Sequence, residues 1–329
     1  TDTLWQGFYK LLATLKSKYK EHLSAISWQE LKSRLLSFAE EEKAYNEAVI
    51  MSEGSVVGYM GLWVRHPGTP DQHPWAWFDA LYDSIPESLV SFSGRHLLTL
   101  MNRHTVDEAH FASHDERITA LARAWKAEKL NRLDESVLDE GSANSEILDQ
   151  WRSNILRENK DLRHEFFLNY PERYVEQLSV FLKKCLLAMP REREDNFSWH
   201  VDEADLRRDG KWRERNNLPL YCIALFDSGD KLVALTEASV SPNNLESIDQ
   251  LMTGVAEEYR GRGLAKWLKA SMYHKLRQEF PEFGRLVTAM RAANKPIQHI
   301  NAQMGFYKYR SGYEFRIHRK DLMVMFATL

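Results

Sequence analysis

The chain has 329 residues, enough for two domains of ordinary size. Hydrophobic residues make up 43% and charged residues 28%, which excludes a disordered tail and allows a buried core without disulfide or metal staples. With 44 basic against 47 acidic side chains the formal net charge is -3, unlike the strongly basic profile of a nucleic-acid binder.

In chain order, the first helical pattern runs from Leu4 to about Tyr19, with Leu4, Phe8, Leu11, Leu12 and Leu15 on one face. A second starts at Ser27, a cap with Glu30 three residues on, and runs towards Phe38. Ala48–Met51, the turn Glu53-Gly54 and Val56–Val64 read as a hairpin, closed beyond its far end by Pro67, Gly68 and Pro70. Trp75–Tyr82 reads as a central strand and Pro86 opens a helix to about Met101. Glu108–Ala112 is a short strand, and Asp115 caps a long helix carrying Ile118, Leu121, Trp125 and Leu130. Charged and small residues then dominate from Asp134 to Ser145, where the domain boundary is expected.

The second half opens on helical material, with Val175, Leu178, Phe181, Leu182, Cys185 and Leu186 at helical spacing and Pro190 ending the run. The charged stretches 191–195 and 202–215 read as solvated helix and loop. Strands are expected at Tyr221–Phe226, Leu232–Val240 and Ile248–Val255. A helix from Tyr259 to Phe280, a strand at Leu286–Met290 and a short helix from Pro296 to Gln303 follow, and alternating segments to Phe326 finish the sheet.

The two cysteines, Cys185 and Cys222, sit among apolar neighbours without zinc-like spacing, so buried thiols in a reducing cytoplasm are expected. No apolar run approaches the roughly 18 residues of a membrane span, and no leader of basic then apolar residues is read. His104, His110 and His114 lack the Glu or Cys that would complete a metal pattern, and no metal is expected.

Chemistry concentrates in one stretch. After Ile248–Val255 the chain reads Tyr259-Arg260-Gly261-Arg262-Gly263-Leu264-Ala265 and enters a helix. Glycine lets backbone approach a ligand, first-turn amides have no internal partner, and the arginines add positive charge. The pattern points to an anion site, most naturally a pyrophosphate. It is not a nucleotide P-loop, because Leu264-Ala265 stands where Lys-Ser/Thr would be needed. Nor does it supply the three glycines after an early strand that a dinucleotide fold uses.

Arg260-x-x-Gly263-x-Ala265 resembles the acyl-CoA pyrophosphate loop of the GNAT (GCN5-related) N-acetyltransferases. Asn294, Asn301 and Met304-Gly305-Phe306 resemble that family's C-terminal signature. The resemblance implies an α/β fold of two tandem GNAT-like domains, each a mixed, mostly antiparallel sheet flanked by helices, similar in architecture to mycothiol synthase relatives. It divides the chain into a degenerate domain at 1–145 and an acetyl-CoA-binding catalytic domain at 146–329. In the first domain, Asp83 to Arg95 lacks an arginine-glycine turn and carries Glu87 where phosphates need positive charge.

The resemblance further implies direct acyl transfer from acetyl-CoA, as cosubstrate, to a primary amine of a small molecule. Met252, Thr253, Gly254 and Val255 would pair with the pantetheine arm. Arg260, Gly261, Arg262, Gly263, Leu264 and Ala265 would hold the pyrophosphate, with Asn294 and Asn301 nearby. Asp249, which shares a strand face with Leu251, and Glu237 on the preceding strand are the candidates for general base. Tyr307 and Tyr309 are the candidates for general acid, because Asn301 stands where the family often has tyrosine. A protein or peptide N-acetyltransferase and a non-catalytic acyl-CoA-sensing module are the alternatives. Neither nucleic acid nor membrane is expected as a partner, and monomer and homodimer both stay open.

Overall fold

The computed structural model describes residues 2–19, 32, 45–65, 75–82, 86–193 and 201–326. The expected helix from Ser27 to Phe38 apart from Lys32, the closing turn at Pro67 to Pro70, the residues Asp83 to Ile85, and Glu194 and Asp195 lie outside those residues.

The chain forms two compact units. Residues 1–133, 192–197 and 311–329 make the first, and 134–191 with 198–310 make the second. The division expected from the sequence was one cut, 1–145 from 146–329. The C-terminal segment joins the first unit because Tyr313–His318 pairs, antiparallel, with the strand Glu108–Ser113.

In the first unit, helix α1 (Asp2–Tyr19) precedes strands β1 (Tyr45–Ser52), β2 (Ser55–Arg65) and β3 (Trp75–Tyr82). Helix α2 (Glu87–Arg103), strand β4 (Glu108–Ser113) and helix α3 (Glu116–Ala124) follow. Asp115 caps α3 through the Arg117 amide at 2.8 Å, as expected. The helix does not continue to Leu130. Lys126 turns left-handed at φ 54°, and the Ala127 and Lys126 amides return to the Ala122 and Arg123 carbonyls, which closes the helix.

The chain then enters β5 (Glu128–Asp139), a long strand that runs through the start of the expected boundary segment. Its charged residues are paired rather than solvated: Asp134 meets Lys308 at 3.2 Å and Glu135 meets Arg310 at 3.0 Å. The strand order in this unit is β1-β2-β3-β4-β11, where β11 is Tyr307–His318. The segment after β11 is helix α9 (Arg319–Phe326), not further strand. Leu97, Met101, Leu121, Trp125, Ile317 and Leu322 share one core, each large apolar side chain contributing about 1.5–3 kcal/mol.

In the second unit, α4 (Ser145–Glu158) is capped by Asn144, and β6 (Arg163–Leu168) is a strand the sequence did not announce. Next come α5 (Val175–Leu187), α6 (Glu203–Arg215), β7 (Leu220–Phe226), β8 (Leu232–Ser239) and β9 (Ser247–Val255). The chain closes this unit with α7 (Leu264–Glu279), β10 (Arg285–Arg291), α8 (Lys295–Met304) and the start of β11. The sheet order is β5-β10-β9-β8-β7-β6, with β6 to β9 antiparallel and β9 parallel to β10.

Two cores cover the two faces of this sheet. Ile248 and Val255 of β9 pack with Leu264 and Leu268 of α7, whereas Met252 packs with Phe181 and Leu182 of α5. No helix among the described residues is long and apolar enough to cross a membrane.

Candidate functional site

The parallel pair β9 and β10 is in register only at its start, from Arg285 opposite Ser247 to Val287 opposite Asp249. Beyond Asp249 the β9 backbone keeps its other neighbour, β8, and loses β10. A residue is inserted at this point: between Thr236 and Ala238 of β8 the register slips, so that Glu237 faces both Leu251 and Met252. A bulge bends its strand, and here it lies at the point where the two strands part.

The gap holds a cavity of about 730 Å³, within the range of small-molecule sites. Its walls include Leu251–Val255 of β9, Thr288–Met290 of β10, Met189 and Pro190 after α5, and Ile297 and Ile300 of α8. Its mouth is the turn into α7. Gly261 and Gly263 there adopt φ of 79° and 77°, and a Cβ on Gly263 would lie 3.1 Å from Ile155. Among the described residues, the amides of 261–265 reach no backbone carbonyl, so they remain as donors at a helix N-terminus. The first turn of α7 contains no acidic residue.

Met252, Thr253, Gly254, Val255, Arg260, Gly261, Gly263, Leu264, Ala265 and Asn294 all line this cavity. Arg262 does not. Its guanidinium is held by Asn159 and Asp161, each at 2.6 Å, which turns it towards α4. Asn301 is buried behind the wall, its amide nitrogen 3.6 Å from the Met290 sulfur. Cys185, on the wall, has its thiol pushed up to about 11 by burial.

Four further residues were singled out for proton transfer, and none lines the cavity. Asp249 is the nearest along the chain, two residues before Leu251 on the same strand face, at the last paired position before the strands part. It keeps access to solvent while protein crowds it, and this loss of hydration lifts its carboxyl to about 6. Glu135 adds to the rise and Arg213 opposes it.

Glu237 is buried, and its carboxyl is lifted to about 7, chiefly by desolvation. The Tyr170 hydroxyl donates to it at 2.5 Å, and the Met252 amide also lowers its pKa by hydrogen bonding. Those bonds fix Glu237 as the brace of the bulge. Tyr307 donates to Asp139 at 2.7 Å on the exposed start of β11, and Tyr309 follows it on that strand.

The sequence reading missed Lys266 and Lys269 of α7, both on the cavity wall. Ala265 and Lys269 stand four residues apart, one helical turn, and that spacing was the available signal.

Residues 186–306 match the profile of the Acetyltransferase (GNAT) family, a span that includes both the turn and α8. A search of curated proteins returned no significant match. A tandem GNAT protein from the clavulanic acid biosynthesis pathway, solved without AcCoA, superposes with a TM-score of 0.71 at 18% identity, covering 97% of this chain and 96% of that one. A GCN5-related N-acetyltransferase from Sphaerobacter thermophilus gives 0.60 at 9% identity over 95% and 92% of the two chains. A glucosamine N-acetyltransferase region of a fungal multi-domain GH3 β-N-acetylglucosaminidase gives 0.64 at 12% identity, covering 94% of this chain and 37% of that one. At these identities the likeness is one of fold. The architecture is therefore α/β of the tandem GNAT type, and the parted strands lie in its GNAT-matching segment.

Proposed function

We propose that the chain is an acetyl-CoA-dependent N-acyltransferase with one donor site, in the second unit. One observation carries this reading: β9 and β10 part after Asp249, and the unpaired length of β9 leads to a glycine turn whose free amides and Arg260 border the same cavity of about 730 Å³. The donor's pyrophosphate fits the amides of 261–265 and Arg260, and its pantetheine arm fits the length of β9 left without a β10 partner. Arg262 serves the turn's shape, braced by Asp161, rather than the phosphates.

The acceptor is a primary amine of a small molecule, which attacks the thioester carbonyl directly. The β9 backbone near the bulge offers an amide to the developing oxyanion, and holding both reactants in the gap supplies much of the rate. Asp249 takes the proton of the attacking amine. Its raised carboxyl ionises near neutrality, as a base in this role requires. Glu237 is a positioning residue, tied to Tyr170 and to the bulge.

Calorimetric titration with acetyl-CoA tests the donor site, and saturable binding is expected. Absence of heat at millimolar ligand, from folded protein, would refute it. A thiol-release screen over polyamines, aminoglycosides, amino acids and amino sugars then identifies the acceptor class.

A further inference from the structure

On α7, the face that brings Ala265 to the cavity wall brings Lys269 there as well, one helical turn further on. Lys269 is 1% exposed. Its ammonium has no hydrogen bond or ion pair with any described residue, and stands 5.7 Å from the centre of the Phe306 ring. Leucine or methionine would fill such a position at far lower cost, because a buried cation without a partner is strongly disfavoured. The partner is therefore to be sought in the ligand.

Its place along the cavity narrows the choice of ligand atom. Helix α7 starts beyond the end of β9, and just past its C-terminus the Gly284 amide reaches the Leu245 carbonyl at 2.9 Å, so the helix runs back along the strand and later residues lie nearer to Ile248 and the point where the strands part. Lys269 leans to the β10 side: Phe306 donates its amide to the Asn301 carbonyl, and Asn301 contacts Met290 of the wall. The phosphates would occupy the other end, at the amides of 261–265. Lys269 is thus the cation at the thioester end.

The titratable groups of the wall are Cys185, Tyr259, Arg260, Lys266 and Lys269, with no carboxyl among them. Asp249 approaches from the opposite face of β9. Burial alone, with no neighbouring charge contributing, brings the Lys269 amine down to about 7.

We propose that Lys269 is the proton donor to the leaving group, its ammonium facing the sulfur of the bound thioester. This rests on the donor site proposed above. As the acceptor nitrogen bonds to the carbonyl carbon, the carbon–sulfur bond breaks and the thiolate takes a proton from Lys269 Nζ. The products are the amide and free CoA thiol. The neutral amine of Lys269 regains its proton from solvent, and the acceptor's own proton leaves through Asp249. Acid and base then work from opposite faces of one strand.

Free CoA tests this without a known acceptor. The ultraviolet absorbance of its thiolate is followed against pH, with the full chain in excess, for the wild type, Lys269→Met and Lys269→Gln. In the wild type the bound thiol should ionise at least about one pH unit below free CoA, because in the dry gap thiolate and ammonium hold each other charged, the thiolate raising the Lys269 amine above its ligand-free value as the ammonium lowers the thiol. Both variants should abolish that shift and keep acetyl-CoA affinity within about threefold of wild type. Wild-type CoA that ionises like free CoA would overturn the proposal, as would a shift that persists in the variants. A tenfold or greater loss of acetyl-CoA affinity in the variants would also overturn it, assigning Lys269 to donor binding. Failure of wild-type protein to bind CoA at all would remove the donor site itself, an outcome distinct from the other three.

Discussion

The two halves of the chain repeat one order of elements, β1-β2-β3-α2-β4-α3-β5 in the first and β7-β8-β9-α7-β10-α8-β11 in the second, with β5 and β11 each running from one unit into the other. In both, a parallel strand pair is in register over a few residues only: Ala76 and Trp77 with Ala109 and His110, against Arg285–Val287 with Ser247–Asp249. They differ in what lies past the paired residues. In the first unit the end of β3, Tyr82, is tied down by the chain's own groups. The Tyr82 side chain is fully buried and bonds Ser93 at 2.9 Å. Arg117, itself gripped by Asp115, donates to the Tyr82 carbonyl. Phe78 of the same strand packs with Phe111 and Trp125. In the second unit the corresponding strand end, Met252–Val255, lines a cavity. The helix starts differ in the same sense, with Glu87 in the first turn of α2 and no acid in that of α7. A shared topology thus parts a parallel strand pair in both, and local residues decide whether the strand end lines a cavity or is bound to its own unit.

The sharpest way to break this contrast is to spoil the turn. Gly263→Asp forces a side chain into φ 77°, sets its Cβ against Ile155 and places a carboxylate at the anion site. The strain of about 1–2 kcal/mol and the charge repulsion together should lower acetyl-CoA affinity at least roughly a hundredfold by calorimetry. The converse change in the first unit, Glu87→Arg, should create no second binding event, because Tyr82 stays bonded to Ser93 and Arg117 and no glycine turn is supplied. A second equivalent of bound acetyl-CoA would overturn the comparison.

The next effect is on turnover. With an acceptor in hand, Asp249→Asn should reduce kcat about a hundredfold while leaving donor affinity nearly unchanged. The base acts only when ionised, so wild-type activity should climb as pH rises through about 6, and the variant should lose that limb. An unchanged rising limb in Asp249→Asn would transfer the role to another group. In the first unit, Arg117→Ala should lower stability by about 1–3 kcal/mol, since the Tyr82 carbonyl loses its donor. Acetyl-CoA affinity should not change, and urea unfolding with calorimetry separates the two readouts.

What could be read from the sequence followed from how local each signal is. The Arg260–Ala265 turn was legible because its glycines, arginines and helix start are neighbours in the chain. The hairpins and the strand Trp75–Tyr82 were legible for the same reason. β5 is hidden in the sequence, which suggests a helix to Leu130 and then a domain boundary, because Asp134 and Glu135 look solvated until Lys308 and Arg310 arrive from far along the chain. The final helix is hidden in the sequence because Leu322–Phe326 is an unbroken apolar run, which suits a buried strand as well as a helix. Lys269 stayed hidden because a lysine in an amphipathic helix reads as surface, and only tertiary packing shows it to be 1% exposed.

The smallest predicted effect separates the two arginines of the turn. Arg260 lines the cavity and has one recorded backbone contact, to the Val255 carbonyl at 3.3 Å, so its guanidinium stays available to a phosphate. Arg262 spends its donors on Asn159 and Asp161. Loss of one charge-assisted bond to the donor predicts about tenfold weaker acetyl-CoA binding for Arg260→Ala. For Arg262→Ala about threefold or less is expected, because only the bracing of the turn is lost. That bracing includes the Asn159 amide, which approaches the Arg262 carbonyl at 3.4 Å and survives the substitution. Raising salt should narrow the gap between wild type and Arg260→Ala, since screening weakens the phosphate contact. Equal losses at both positions would show that the turn binds as a diffuse patch of charge, and that its two arginines are not divided between ligand and frame.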